Sequence, residues 1–437
     1  MVVGGLGWDT IERMRFEPKV VHLGKLRVVL VKEARQSVTV RAMVGTGSRE
    51  ESDKEAGSAH FLEHFVFKGT KKYPGMYDIN TAVEEVGGAF NAYTGQNEMG
   101  FWVKMDKTHL DRAMRIVGQV ITEPILPEEH FDKERGTILE ELHMYEDRPG
   151  SKAAEEMTKL LYGKSNLGRP IIGTVKSLKA MTVKHLREYL EKWFVAENII
   201  IGVVGDYGDE KNVLGLIREE MAPLIGDNRK TPKKDTYSWK KQETAQTKLV
   251  SRKLDQAAVY IGFRGIELTH KLRHALYLTN IILGDGWLSR LMKEVREERG
   301  WAYSIRSGFD QFLDVGEVAI GAGLPKDKLN EAVGLIVDIC TGLAGQNRWM
   351  IKEQELKTAK DTFRGRFSLR VDVPEEVLGM ALWDLMFESK IYMPDEILKN
   401  IEKVNLDEVR EVAKMIFKKE YMSIAVVGNY RKLELPI

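Results

Sequence analysis

The chain has 437 residues, 43% of them apolar, with 66 basic against 65 acidic side chains and a net charge of +1. That length holds two or more domains, each with its own core, and the balanced charge gives no electrostatic basis for nucleic-acid binding or attraction to an anionic membrane. The single cysteine, Cys340, excludes an intramolecular disulfide and fits a reducing compartment.

In chain order, residues 1–9 show neither a basic n-region nor a long apolar core, and no later run is long enough to span a bilayer. A soluble cytoplasmic protein is therefore the expectation. Residues 25–31 and 38–44 alternate in the manner of strands. The segment 57–70 carries the chemistry. His60 and His64 are four residues apart, so on a helix they stack a turn apart on one face, and both imidazoles reach one metal ion. Glu63 borders the same face, in reach of a water on that metal. Phe61, Leu62, Phe65, Val66 and Phe67 make the rest of the segment apolar, which buries it. Ionisable groups in such a place are costly unless a metal or hydrogen bonds satisfy them. A lone core histidine has a plainer explanation, but this triplet fits the inverted-zincin pattern His-x-x-Glu-His.

Residues 89–94 and 100–105 read as a hairpin around 95–98. An acidic helix follows over 127–145, with Pro127 in its first turn and Glu128 and Glu129 at the positive end of its dipole. Zinc takes three protein ligands and keeps a fourth position open, and this helix is the best source of the third. At about 100° per residue, Phe131, Ile138, Leu142 and Tyr145 form one apolar stripe. Glu134 and Glu141 flank that stripe, whereas Glu140 points away. Helix geometry thus selects Glu141 as the inward ligand, and a solvated acidic face accounts for Glu140 and Glu129.

Residues 182–206 and 405–429 align without a gap at an offset of 223. Each copy has a capping residue (Thr182 or Asn405), an amphipathic helix and a β-branched run ending in Gly. Duplication explains this better than shared helix–strand composition. The expected division is a catalytic domain over 1–225, an exposed linker over 226–241 and a homologous non-catalytic domain over 242–437, which opens with a strand at 257–263. The second half has no His-x-x-Glu-His, and His270 and His274 there lack an acidic partner placed like Glu63. Strands precede clustered helices in the first half, so the fold class is α+β, each domain a largely antiparallel sheet packed with helices. Residues 296–304 read as a charged helix end stopped by Gly300 and followed by a strand.

The runs 60–70, 90–94 and 134–141 closely resemble the pitrilysin-type zinc peptidases, and in particular a bacterial processing-peptidase-like branch related to the β subunit of the mitochondrial processing peptidase. The resemblance covers essentially the whole chain. It implies one Zn2+ per chain on His60, His64 and Glu141, with Glu63 as general base and Glu134 in support. It implies a substrate-docking strand at Phe90, Asn91, Ala92 and Tyr93, and it matches Arg296 and Tyr303 to an Arg and a Tyr, seven residues apart, that approach the substrate carbonyl. The expected function is a zinc endopeptidase acting on unfolded peptides or presequence-like segments. A non-catalytic, substrate-binding subunit of a processing-peptidase-like complex is the alternative, disfavoured by the intact His60, Glu63, His64 and Glu141. A zinc hydrolase of a different bond is disfavoured by the paired halves and the docking strand. Two domains make half of the four-domain chamber of the long family members, so the expected partner is a second copy, with a homologous chain as the other possibility. Neither nucleic acid nor membrane is expected as a partner.

Overall fold

In the computed structural model, which describes residues 17–345, 347–432, 434 and 435, the strand-like runs assemble into two sheets. Residues 1–9, read above for leader features, lie outside the described residues. The first sheet holds β1 (Lys19–Leu23), β2 (Leu26–Lys32), β3 (Ser37–Val44), β4 (Ala89–Thr94), β5 (Met99–Asp106) and β6 (Ile199–Gly205), in the order β1-β2-β6-β3-β5-β4. The second holds β7 (Gln246–Ser251), β8 (Gln256–Gly265), β9 (Ile305–Gln311), β10 (Gly316–Pro325) and β11 (Met422–Gly428), in the order β7-β11-β8-β10-β9. Only β2–β6 and β7–β11 run parallel among the described pairs. The expected α+β architecture of helix-covered, largely antiparallel sheets is what the chain adopts.

The internal repeat organises both sheets. Its β-branched runs become β6 and β11, each buried along its whole length beside the parallel neighbour. The preceding helices, Val183–Trp193 and Leu406–Ile416, begin as expected: Thr182 Oγ1 accepts from the N–H of His185 at 3.4 Å, and Asn405 Oδ1 from that of Glu408 at 3.0 Å. Each such cap satisfies one orphan backbone donor, worth about 1 kcal/mol.

A second correspondence was not legible in the sequence. Helix Pro149–Tyr162 of the first half lies on β8 and β11 of the second sheet, and helix Pro374–Phe387 of the second half lies on β2 and β6 of the first. Each begins at a proline, and each seats a large side chain on a strand glycine, Met157 on Gly262 and Leu378 on Gly202. A Cβ at Gly202 would stand 2.7 Å from Leu378, so the close approach depends on glycine there. The halves are also pinned by a bidentate ion pair, Arg49 Nη1 to Asp314 Oδ1 at 3.0 Å and Nη2 to Oδ2 at 2.5 Å. The stretch from Gly226 to Ala245, which includes the expected linker, contains no helix or strand. It is tethered rather than free. The N–H of Asp235 donates to Glu50, and Tyr237 and Trp239 pack against Tyr162.

Asp310 and Glu317 face each other directly across β9 and β10. Like charges so placed repel, and burial, then Asp310, pushes the Glu317 carboxyl from 4.5 up to about 7. Burial raises Glu98 to about 7 as well, the Asp310 charge adding to it against the pull of Arg41. The folded chain therefore keeps protons that the unfolded chain releases above about pH 4.5. The stability from these two groups is full below that pH and is lost as pH rises toward 7. In thermal denaturation, Glu98→Gln with Glu317→Gln is expected to raise the melting temperature relative to wild type by a few degrees at pH 7.5 and by less at pH 5.

Candidate metal centre

The motif helix spans Ser58–Phe65. Phe61, Leu62 and Phe65 are fully buried on one side, which leaves His60 and His64 on the other, their ring centroids 4.8 Å apart. The helix begins at Gly57, whose φ of 93° is in the left-handed region and whose added Cβ would stand 2.7 Å from the Ile172 carbonyl oxygen. That conformation suits glycine. The buried Glu51 carboxyl accepts from the Gly57 and Ala59 N–H groups, each at 2.8 Å, and so holds the first turn. Burial pushes this carboxyl up to about 8, against those two donors and Arg169, which favour its charged form.

The acidic helix, Glu128–Asp147, locks onto the motif helix through Phe131, which stacks on Phe61 at 4.7 Å and meets Phe65 edge-on at 5.7 Å. Aromatic pairs of this kind add about 0.5–1.5 kcal/mol beyond the area they bury. Phe131, Ile138 and Leu142 are buried, as the stripe requires. Tyr145 departs from the expectation. It is 42% exposed, because the helix end has left the core by that residue and the ring lines the rim of the recess at the site. The Glu141 side chain is 25% exposed and that of Glu140 is 84% exposed, so the two neighbours face opposite ways.

His60 Nε2 lies 3.7 Å and His64 Nε2 3.5 Å from Glu141 Oε2, and one ligand atom from each of the three falls within 4.8 Å of the others. Ligand atoms about 2.0–2.2 Å from a tetrahedral zinc are roughly 3.3–3.6 Å apart. The donor types and spacing therefore suit such an ion. Burial, then His64, pushes His60 down to about 4, so its ring is neutral and its nitrogen lone pair is available. His64 Nδ1 donates to Glu134 Oε1 at 3.0 Å, which directs Nε2 toward Glu141. Burial pulls His64 down, but Glu134, Glu141 and Glu63 together raise it above its ordinary value. Glu134 is itself buried and pairs through its other oxygen with Lys68 Nζ at 2.8 Å. Burial pushes Glu134 up, yet the bonds to His64 and Lys68 outweigh that and hold it below the usual carboxylate range.

A recess of about 650 Å3 opens beside these groups, lined among others by His60, Glu63, Glu141, Ala92, Tyr93 and Thr94. Tyr93, Gln96 and Ile171 also line a larger cavity, of about 900 Å3, between the halves. Burial raises the Glu63 carboxyl above its ordinary range, against the Thr94 side chain and His64, which lower it. Of the four residues expected to dock substrate, Ala92 and Tyr93 line the recess. Phe90 packs on Phe67 at 5.0 Å and Asn91 bonds the Ala92 N–H. Arg296 and Tyr303 do not line it. They stand together on the second half, with the Arg296 guanidinium 5.3 Å from the Tyr303 ring centroid and Tyr303 80% exposed.

Residues 27–175 match the family described as Insulinase (Peptidase family M16), and residues 180–363 match the one described as Peptidase M16 inactive domain. An uncharacterized zinc protease of Mycobacterium leprae is 30% identical over 409 residues, covering 93% of this chain and 90% of that protein. The chain belongs to peptidase family M16. Another member, an uncharacterized zinc protease of Bacillus subtilis, is 28% identical over 387 residues, 88% of this chain and 92% of its own. The fold of family M16 recurs in the crystal structure of a protease from Helicobacter pylori, with a TM-score of 0.86 at 22% identity, covering 94% of this chain and 99% of that one. It recurs again in a peptidase M16 inactive domain from Pseudomonas fluorescens, at a TM-score of 0.86 and 19% identity, over 96% and 99% of the two chains. No helix among the described residues is long and apolar enough to cross a membrane.

Three supporting residues escaped the sequence reading. Lys68 had a signal, as the one cation closing an apolar run after His64. Thr94 falls in the run 90–94 that carries the resemblance but has no role of its own there, and Glu51 had no signal, because its partners come from another turn of the chain.

Proposed function

We propose that this M16 chain is a zinc-dependent endopeptidase of unfolded or presequence-like peptides, with one zinc ion held by His60, His64 and Glu141. The observation that carries the reading is the convergence of those three side chains beside Glu63 at the wall of an open recess. A zinc ion held there supplies Lewis acidity, which acidifies water and polarises a carbonyl. Glu63 takes the proton of the attacking water and returns it to the leaving amine, and its raised carboxyl is the better base for doing so. Glu134 fixes the His64 tautomer, and Lys68 holds Glu134.

Edge strand β4 has a sheet neighbour on one side only. An extended peptide adds along its free edge through main-chain hydrogen bonds, with Ala92 and Tyr93 bordering the reacting bond. That mode selects unfolded substrates. Arg296 and Tyr303 belong to the same reading as groups that meet the substrate carbonyl across a homodimer interface, or across one with a homologous chain. The lone buried Cys340 agrees with a cytoplasmic setting.

The test is metal content after dialysis, together with cleavage of a quenched peptide. Glu141→Gln should lose zinc more severely than Glu134→Gln, for which loss of an outer partner predicts roughly 10–100-fold weaker binding. Glu140→Gln should be nearly silent. Silent Glu141→Gln protein with a metal-poor Glu140→Gln protein would overturn the ligand assignment.

A further inference from the structure

Arg296 lies in the last turn of a π-helical stretch, Met292–Glu297, a geometry that recurs at functional sites. Its guanidinium lies between two rings, 4.5 Å from the Trp287 centroid and 5.3 Å from that of Tyr303. Nε faces Glu297 at 3.4 Å. Among the described residues no side-chain hydrogen bond engages its two terminal nitrogens, so the outer end of the fork is left to donate.

Trp287 is 64% exposed, and its indole does not belong to either core. Its backbone is nonetheless held firmly. Ser289 donates to the Gly286 carbonyl through both Oγ, at 2.6 Å, and N–H, at 3.2 Å. Gly286 takes a φ of 129°, and Arg366 clasps the neighbouring Asp285 side chain at 2.9 Å and its carbonyl at 3.1 Å. A large aromatic presented to solvent on a braced turn, with an arginine stacked on it, is arranged for that arginine rather than for folding. A guanidinium on an indole face gains about 0.5–2 kcal/mol while its in-plane N–H groups stay free.

We propose that Trp287 is the positioning residue for Arg296, holding the guanidinium flat against Tyr303 so that its free nitrogens meet the substrate carbonyl. This rests on the reading of Arg296 and Tyr303 given under the proposed function. Trp287 makes no contact with substrate in this scheme and acts only through Arg296.

The experiment is a double-mutant cycle on the full-length, zinc-loaded protein with a quenched peptide. Trp287→Ala should lower kcat by roughly 3- to 30-fold, with KM and zinc content little changed. Trp287→Phe, which keeps a ring face, should recover most of the loss. In an Arg296→Ala background, Trp287→Ala should cost nothing further, since nothing remains to be positioned. Equal losses from Trp287→Ala with and without Arg296 would overturn the inference alone and leave the role of Arg296 standing, and so would an effect confined to KM. Full activity of Arg296→Ala would overturn the underlying reading and this inference with it. An unchanged melting temperature in each variant separates these outcomes from loss of fold.

Discussion

Glu63→Gln is expected to keep zinc and fold and to lose peptide hydrolysis by about 10²- to 10⁴-fold, the usual contribution of a positioned general base. The amide matches the carboxylate in size, and among the described residues no hydrogen bond joins Glu63 to His60, His64 or Glu141 that its loss would break. What disappears is the group that accepts the proton. The pH profile gives a second readout. Burial raises the Glu63 carboxyl above the ordinary carboxylate range, so wild-type activity should climb with pH through a limb displaced upward from 4.5, as the carboxyl becomes the active anion. In Glu63→Gln any residual activity should lack that limb. Substantial hydrolysis by metal-loaded Glu63→Gln protein would remove Glu63 from the role of base.

The parts of this molecule that sequence reveals are those whose cause is local. The spacing of His60 and His64 places two imidazoles on one helix face, and the stripe through Phe131, Ile138 and Leu142 turns Glu141 inward and Glu140 outward, because both follow from helical periodicity alone. Strand β4 is legible at its full length, since the hairpin strand and the turn after it are contiguous, from Ala89 to Glu98. Tyr145 was misplaced because periodicity says which way a side chain points and not where the core ends. The pairing of Lys68 with Glu134 and the grip of Glu51 on the motif helix depend on where separate elements meet. The exchange of helices Pro149–Tyr162 and Pro374–Phe387 between the halves was hidden for the same reason. The first of these helices is amphipathic and the second is apolar nearly all round, neither pattern says which sheet it covers, and only the assembled fold decides.

That exchange also bears on how the active unit is completed. Each half lends a helix to the other sheet, so one chain is a single interlocked body, and its Arg296–Tyr303 face stays outside the recess that holds His60 and Glu141. If those two residues act on the substrate, a second chain is the expected source of them. A symmetric homodimer is the commonest closed assembly, and it would place each chain's Arg296 and Tyr303 against its partner's recess. Two inactive variants test this directly: Glu63→Gln, which lacks the base, and Tyr303→Phe, which lacks the phenol. Mixed under conditions that allow subunit exchange, they form dimers in which one site is doubly defective and the other is fully intact. At equal proportions and random pairing about half of all dimers are mixed, so activity should return to roughly a quarter of the wild-type level, from nearly nothing in either parent. A chain that uses its own Tyr303 gives no such rescue, because every site in the mixture then keeps one defect. With exchange verified by differently tagged subunits, a mixture that stays inactive would rule out action across the interface.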